Sequence, residues 1–163
     1  MAKSLGQKLP QDLFKRLSSY DISTKIGERV ILFTTADPDG WPRHGMLSHY
    51  EVVAKNHSLL LMLTYAGSKS TSNLLANGMA VLLFVDEEMS YYVRVSCKKY
   101  AEGSRVNAPR ETLFECNVVD VMEDKLPTAN IVSGLTFSGY DPGMPKEDRM
   151  RVRSRLIELA VGK

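Results

Sequence analysis

The sequence predicts an α+β protein built around a small antiparallel β-barrel. Six apolar or alternating runs have the pattern of strands, and most of them are joined by short turns. Helical spacing occurs near both ends of the chain and once between the third and fourth strands. Antiparallel strands with short connections must protect their edges, and closure into a barrel achieves this.

The predicted elements follow in order along the chain. The first helix lies in "LPQDLFKRLSSY", where leucines recur at helical spacing. Gly78 ends the short inserted helix, since glycine readily takes the left-handed conformation of a C-terminal cap. Pro145 begins the final helix, because proline suits a first turn. The six predicted strands are "RVILFTTA", "RHGMLSHYEVVA", "LLLMLTYA", "MAVLLFVD", "SYYVRVSCKKYA" and "ETLFECNVVDVM".

Composition excludes several classes of protein. With 163 residues, 44% hydrophobic and 25% charged, the chain is typical of one soluble globular domain. No apolar run approaches the ~20 residues that span a bilayer, and the N-terminus lacks a signal peptide core, so we expect a cytoplasmic protein without membrane contacts. A net charge of +2 gives no reason to expect nucleic acid binding. Cys97 and Cys116 belong to no Cys/His cluster, so no metal site is predicted.

A turn rich in hydroxyl groups separates the third predicted strand from the inserted helix. Four hydroxyl side chains and Lys69 lie between Gly67 and Asn73. The N-terminus of a helix presents unpaired N–H groups and a partial positive charge, so this turn would suit a phosphate group. The alternative is that Ser68 or Ser70 only caps the helix and that Lys69 is a solvated surface residue.

Three motifs, in this order, resemble those of a known family. The first predicted strand ends in a D-x-x-G-x-P turn from Asp37 to Pro42. The third strand runs into "GSKSTSNL", and "ANGMAV" precedes the fourth strand. Over roughly residues 28–122 the chain resembles the pyridoxamine 5′-phosphate oxidase-like family, the FMN-binding split barrels. Members of this family typically show D-x-x-G-x-P, then G-S-[RK]-K-x-x-N-L, then A-N-P-R-V at the corresponding places.

This resemblance implies an architecture and an assembly. The fold would be a six-stranded antiparallel split β-barrel with flanking helices, forming a single FMN-binding domain over residues 1–163. Its core would span 28–122, and a C-terminal loop and helix would occupy 130–162. The family also implies a homodimer, with FMN in a cleft between the two subunits.

The resemblance also assigns cofactor-binding residues by position. The isoalloxazine ring of FMN would lie along one predicted strand, and the phosphate would lie at the hydroxyl-rich turn, where charge-assisted donors suit a dianion. The residues implied are Gly45, Met46, Leu47 and Ser48 for the ring, Thr64 for the ribityl chain or phosphate, and Ser68, Lys69 and Ser70 for the phosphate.

The chain departs from the family pattern in two respects that concern the phosphate. Many members carry two adjacent cations in the turn, whereas Ser70 occupies the second position here. The oxidase has a phosphate-binding arginine where this chain has Gly45, and Arg43, two residues away on the same strand face, is a candidate substitute. The C-terminal substrate segment of the oxidase is not recognisable, so we do not expect a true pyridoxamine 5′-phosphate oxidase.

Other polar residues have ordinary interpretations. His44 and His49 are five residues apart on one predicted strand, so they point to opposite faces and form no local ligand pair. The four alternate arginines from Arg149 to Arg155 are predicted to be mainly solvated, the alternative being that one reaches a substrate phosphate or the partner subunit. Tyr140 lies in a Gly/Pro-rich loop that is predicted to be a connector or, alternatively, a lid over the flavin.

We expect an FMN-dependent oxidoreductase acting on a small-molecule substrate or electron donor that the sequence does not identify. FMN performs the electron chemistry in such proteins, in agreement with the lack of an obvious side-chain acid or base. The alternatives are a non-catalytic flavin-binding or electron-transfer protein, and a haem-binding split barrel with a histidine as axial ligand. A homodimer is also expected because "LLLMLTY" and "MAVLLFV" offer more apolar surface than a small barrel must bury.

Cys97 and Cys116 are predicted to be free, buried and adjacent. They lie on strands that should pair as an antiparallel hairpin, each on the apolar face of its strand. Directly opposed residues have Cβ atoms about 4.5–5.5 Å apart, which exceeds the ~3.8 Å that a disulfide prefers. A reducing cytoplasm also disfavours the bond, so both thiols should act as small core hydrophobes.

Overall fold

A sheet of eight antiparallel strands forms the framework of the protein in this computed structural model, which describes residues 2–138 and 145–163. The strands are β1 (Lys3–Gly6), β2 (Val30–Ala36), β3 (Pro42–Ser48), β4 (Val52–Asn56), β5 (Leu59–Tyr65), β6 (Met79–Asp86), β7 (Met89–Glu102) and β8 (Glu111–Glu123). Their order is β3-β2-β6-β7-β8-β5-β4, and β1 pairs with β8.

Helices flank this sheet, so the predicted α+β class is confirmed. Within the described ranges they are α1 (Gln11–Ser18), α2 (Thr24–Gly27), α3 (Lys69–Asn77) and α4 (Lys146–Ala160), together with a 3₁₀ helix at Gly103–Val106. None of them has the length and apolar character that a bilayer crossing requires. Gly78 ends α3 with φ of 69°, as predicted from the preference of glycine for this conformation.

The described residues contain two more strands than the six predicted. The segment "RHGMLSHYEVVA" is not one strand but two, β3 and β4, with a turn between them. The Glu51 carboxylate accepts hydrogen bonds from Ser48 N at 2.6 Å and from Ser48 Oγ at 2.9 Å. The Glu51 side chain thus bonds the backbone N–H of Ser48 in place of a carbonyl oxygen from a neighbouring strand, and β3 ends at Ser48. The other additional strand, β1, is exposed along its whole length. Its sequence therefore lacks the alternation of apolar and polar residues that predicts a half-buried strand.

The sheet curls around a main core, because both of its edge strands contribute to the same cluster of buried side chains. Leu47 of β3 and Val52 of β4 belong to this cluster, and Leu13 and Leu17 of α1 cover it. A second core lies on the outer face of β4, β5 and β8, where α4 packs. Strand β5 is therefore buried on both faces within one chain.

Burial of β5 contradicts one reason given for a homodimer. The run "LLLMLTY" was expected to have surplus apolar surface, but its residues Leu60 to Leu63 are at most 2% exposed. One face of the strand packs in the main core and the other packs beneath α4. Any surplus apolar surface must therefore lie elsewhere on the molecule.

Cys97 and Cys116 lie directly opposite each other in the β7–β8 ladder, which confirms that they are buried neighbours. The prediction that they are free was wrong, because the structure joins them in a disulfide, with Cα atoms 4.0 Å apart. The prediction assumed the usual spacing of opposed strand residues, about 4.5–5.5 Å between Cβ atoms. Opposed residues of antiparallel strands usually have Cα atoms about 4.5–5.5 Å apart, so the two strands approach each other more closely than usual at this pair.

Candidate functional site

A cavity of about 440 Å³ lies where β3, the N-terminus of α3 and the beginning of β8 come together. Eight of the nine residues predicted to bind FMN line this cavity: Arg43, Gly45, Met46, Leu47, Thr64, Ser68, Lys69 and Ser70. The ninth, Ser48, is buried and bonds to Glu51 instead. The structure therefore brings together residues from two separate segments of the chain, 43–47 and 64–70.

The hydroxyl-rich turn forms the N-terminus of α3. Ser68 is its N-cap, and Ser68 Oγ accepts a hydrogen bond from Thr71 N at 3.1 Å. The N–H groups of Lys69 and Ser70 belong to the first turn, which has no carbonyl partners within the helix. The capping role considered for Ser68 is thus present, while Lys69 and Ser70 also line the cavity.

A pair of threonines fixes α3 against the end of β5. Thr71 Oγ1 donates to the carbonyl oxygen of Tyr65 at 2.7 Å, and Thr64 Oγ1 lies 2.7 Å from Thr71 Oγ1. Because the Thr71 proton is engaged, Thr64 is the donor in this second bond. Thr64 therefore positions the turn through a residue, Thr71, that sequence analysis did not identify.

A hydrogen-bonded group made of Arg43, Asp37 and Asn73 connects β3 to α3. Arg43 forms two bonds of 2.8 Å with the two carboxylate oxygens of Asp37. Asn73 donates to Asp37 Oδ1 at 2.8 Å and to Thr35 Oγ1 at 3.0 Å. The bonds from Arg43 and then Asn73 lower the pKa of Asp37 to about 2, and the charge of Lys69 adds to this effect. Asp37 is therefore anionic near neutral pH and holds Arg43 at the cavity.

Sequence analysis did not assign a role to Asp37 or Asn73. Both residues nevertheless stand inside the quoted motifs, Asp37 at the start of D-x-x-G-x-P and Asn73 in "GSKSTSNL". Their position in those motifs was the available signal. The motifs do not indicate that the two side chains meet, because this depends on how α3 packs on β2 and β3.

Another part of the cavity wall is acidic. Glu51 follows β3, and Glu111 begins β8. Burial raises the pKa of Glu51, although hydrogen bonds from Ser48 oppose the change. Burial, and then the charge of Glu51, raise the pKa of Glu111 to about 7, while Arg149 of α4 acts in the opposite direction. Within the described part of the chain, Glu111 Oε2 is buried without a hydrogen-bond partner.

Arg153 is fully buried, so its prediction as a solvated residue was wrong. Its guanidinium donates to carbonyl oxygens at the end of α1 and on either side of Glu51. These acceptors are Arg16, Leu17, Ser19, His49 and Val52. Burial lowers the pKa of Arg153 to about 10. Arg153 precedes Leu156 by three residues and Ile157 by four, so it lies on the buried face of α4. This spacing was the sequence signal that could have predicted its burial.

The histidines lie in different elements. His44 of β3 lines the cavity, and its Nδ1 is 2.9 Å from Thr34 Oγ1. His49 was predicted on the same strand but lies beyond its end, buried, with Nδ1 3.1 Å from the carbonyl oxygen of Arg29. Burial lowers the pKa of His49 to about 4. Tyr140, considered as part of a lid, lies outside the described residues.

No family model matches the chain. It is 26% identical over 130 residues to the uncharacterized protein YclD of Bacillus subtilis, covering 80% of this chain and 83% of that protein. Among solved structures, it is similar to a Lactobacillus delbrueckii protein provisionally described as a pyridoxamine 5′-phosphate oxidase, with a TM-score of 0.59 and 16% identity over 73% of this chain and 98% of the other.

Two further structures extend the comparison. HupZ of Group A Streptococcus matches with a TM-score of 0.53 and 15% identity, over 80% of this chain and 99% of the other. An F420 reductase matches with a TM-score of 0.52 and 11% identity, over 69% of this chain and 98% of the other. At such low identities these likenesses establish the fold alone.

Proposed function

We propose that this protein, which has the split-barrel fold of the pyridoxamine 5′-phosphate oxidase-like proteins, binds FMN in the cavity and acts as a flavin-dependent oxidoreductase on a small molecule. One observation carries the proposal: Arg43, Lys69 and the N-terminus of α3 converge on a single cavity that also borders β3. Two cations and a helix N-terminus suit an organic phosphate.

The donors at α3 fit the phosphate group of FMN. Lys69 supplies a full charge, and the first turn of α3 supplies N–H groups without helical partners. Arg43 supplies further N–H donors, while the Asp37 carboxylate bonded to it balances its charge. Arg43 thus substitutes for the phosphate-binding arginine of the oxidase, whose position Gly45 occupies in this chain.

The wall beside β3 fits a flat ring. Gly45 leaves room for the ring of Phe33, with which a Cβ atom at this position would collide. Phe33, Gly45 and Leu47 together form an apolar part of the cavity wall. FMN, when bound, would supply the electron transfer, and these residues would orient it and exclude water from one of its faces.

A homodimer with FMN at the subunit interface is part of this proposal. Exposed apolar side chains lie on or near the cavity: Met46 and Tyr65, which line it, are each 61% exposed, and Trp41 at the β2–β3 turn is 71% exposed. Such a group favours coverage by a partner. Sedimentation at micromolar concentration is expected to find a dimer, and a stable monomer would contradict this assembly.

Titration of the purified protein with FMN tests the proposal. Quenching of flavin fluorescence with saturation at one FMN per chain is the expected result. Turnover with NADH or NADPH and an artificial acceptor would then separate an oxidoreductase from a protein that only stores or carries flavin. Absence of saturable FMN binding would contradict the proposal.

Haem is a second candidate ligand because of His44. This imidazole lines the cavity and is oriented through Nδ1 by Thr34. Haem that remains with the protein through gel filtration, and that is no longer retained by His44→Ala, would favour this candidate over FMN. Cations also suit the propionate groups of haem, so we favour FMN because Lys69 and the first turn of α3 belong to the motif that the family resemblance assigns to the FMN phosphate.

A further inference from the structure

Glu51, Glu111 and Arg149 lie together at the end of the second core. Glu51 is opposite Leu63, whose N–H donates to the Glu51 carbonyl oxygen at 2.9 Å, and Glu111 is opposite Tyr65 in the β5–β8 ladder. Alternation along the strands places both glutamates on the face that α4 covers. Arg149 precedes Arg153 by four residues on α4, and its charge acts on both carboxyl groups.

The two carboxyl groups differ in their hydrogen-bond donors. Glu51 Oε2 accepts from both N and Oγ of Ser48, which favours the carboxylate. Glu111 Oε2 is buried and receives no hydrogen bond from the described residues. A carboxyl group with one oxygen buried and lacking a donor is more stable as the neutral acid. Of this pair, Glu111 is therefore the residue that takes up a proton more readily.

The neutral form of Glu111 also suits an anionic ligand. The charged groups that face the cavity or flank it are Arg43, Lys69, Arg149, Asp37 and Glu51, and His44 and Tyr65 are its other titratable neighbours. A second carboxylate beside a bound phosphate or an electron-rich ring would repel it. As an acid, Glu111 removes this repulsion and offers a donor.

We propose that Glu111 takes up a proton when an anionic ligand enters the cavity and donates a hydrogen bond to that ligand through its carboxyl group. The ligand considered is FMN, so this inference rests on the proposed function. The only covalent bond formed is the O–H bond of Glu111, and its proton comes from solvent. Glu111 would thus act as a specificity residue that favours hydrogen-bond acceptors over cationic ligands.

Calorimetry of FMN binding at pH 8 in two buffers of different ionisation enthalpy tests this inference. The parent protein should take up a substantial fraction of one proton per FMN bound, and its affinity should fall by up to about tenfold per pH unit above pH 7. Glu111→Gln, which keeps a donor without titrating, should show no uptake, little pH dependence and tighter binding than the parent at pH 8.

Glu115→Gln is the matched control, since Glu115 is on the same strand, outside the cavity, and pairs with Lys98. It should behave as the parent does. FMN binding with equal proton uptake in the parent and Glu111→Gln would overturn the inference while the proposed function stands.

Failure of FMN to bind would instead contradict the proposed function. The inference is then decided on the apoprotein, by ¹³C NMR titration of the glutamate carboxyl carbons with and without inorganic phosphate. A resonance that titrates near pH 7, rises in midpoint with phosphate and disappears in Glu111→Gln would support it. A Glu111 midpoint that phosphate does not move would overturn it.

Discussion

Two groups of polar residues at one cavity shift the pKa of a carboxyl group in opposite directions. In the Asp37 group, made of Asp37, Arg43 and Asn73, the pKa of the acid is lowered to about 2. In the Glu111 group, made of Glu51, Glu111 and Arg149, the pKa of Glu111 is raised to about 7. Asp37 accepts from a guanidinium and an amide, whereas Glu111 Oε2 is buried without a donor. Donors and solvent, more than residue type, decide which acid is charged.

The two groups also depend on different parts of the chain. The Asp37 group comes from the β2–β3 hairpin and α3, which lie within about forty residues of one another. The Glu111 group needs α4, because Arg149 comes from this helix and Arg153 binds the carbonyl groups on either side of Glu51. A perturbation of α4 should therefore affect one group and spare the other.

The largest effect is expected for Arg153→Met. Loss of the guanidinium leaves several buried carbonyl groups without a donor, so the free energy of unfolding should fall by about 2–4 kcal/mol. Urea denaturation at pH 7 measures this change. Arg151→Met, on the exposed side of α4, should change it by less than about 0.5 kcal/mol. Equal stability of the two variants would refute the role given to Arg153.

Lys69→Ala should weaken FMN binding by about 1–3 kcal/mol, the range for a hydrogen bond to a charged group. The free energy of unfolding should not change, because Lys69 is exposed. Fluorescence titration with FMN gives the affinity, and Lys55→Ala, at an exposed position of β4, is the control. If Lys69→Ala retains the affinity of the parent, the turn only caps α3 and the phosphate lies elsewhere.

Glu111→Gln should stabilise the protein at pH 8 and leave it unchanged at pH 4. The folded-state pKa of about 7 exceeds the ordinary value of 4.5, so the native state holds the proton longer and stability falls as pH rises between these values. The gain at pH 8 should be about 1–3 kcal/mol, less than the full shift implies because the residue is only half-buried. Thermal unfolding across this pH range measures it. A constant difference between variant and parent would show that Glu111 titrates normally.

Asp37→Asn should have the smallest effect, with the opposite dependence on pH. The folded-state pKa of about 2 lies below the ordinary value of 3.8, so this carboxylate stabilises the fold above about pH 4 and loses that contribution as pH falls toward 2. The variant should therefore show a shallower decline in melting temperature on the acid side. Asp39→Asn, in the same turn, provides the comparison. A parallel decline in the parent and Asp37→Asn would contradict the ion pair with Arg43.

Much of the fold was predictable from local patterns. The helical spacing before Tyr20, the glycine after α3 and the proline before α4 correspond to elements that the structure contains. The break between β3 and β4 was not predictable, because a bond between the Glu51 side chain and the Ser48 backbone competes with the ladder. Hydrophobic alternation carries no information about such a bond.

The candidate site, like the fold, was only partly predictable from the sequence. Eight of the nine residues expected at the cofactor line one cavity, because the order of the family motifs along the chain indicates how the neighbouring strands and α3 meet. Glu111 and Arg153 were missed. Each is distant in sequence from those motifs and reaches its place only through packing of β8 or α4.

By itself, the sequence determined α1, α3 and α4, most strands and the segments that meet at the hydroxyl-rich turn, because periodicity and turn preferences are local properties of the chain. Only the tertiary structure decided which ionisable groups are removed from water: Arg153 on α4 and Glu111 at the cavity. The ionisation of a side chain depends on the donors and solvent around it. Those surroundings come from residues far away in the chain, so they exist only once the sheet has curled and α4 has packed against it.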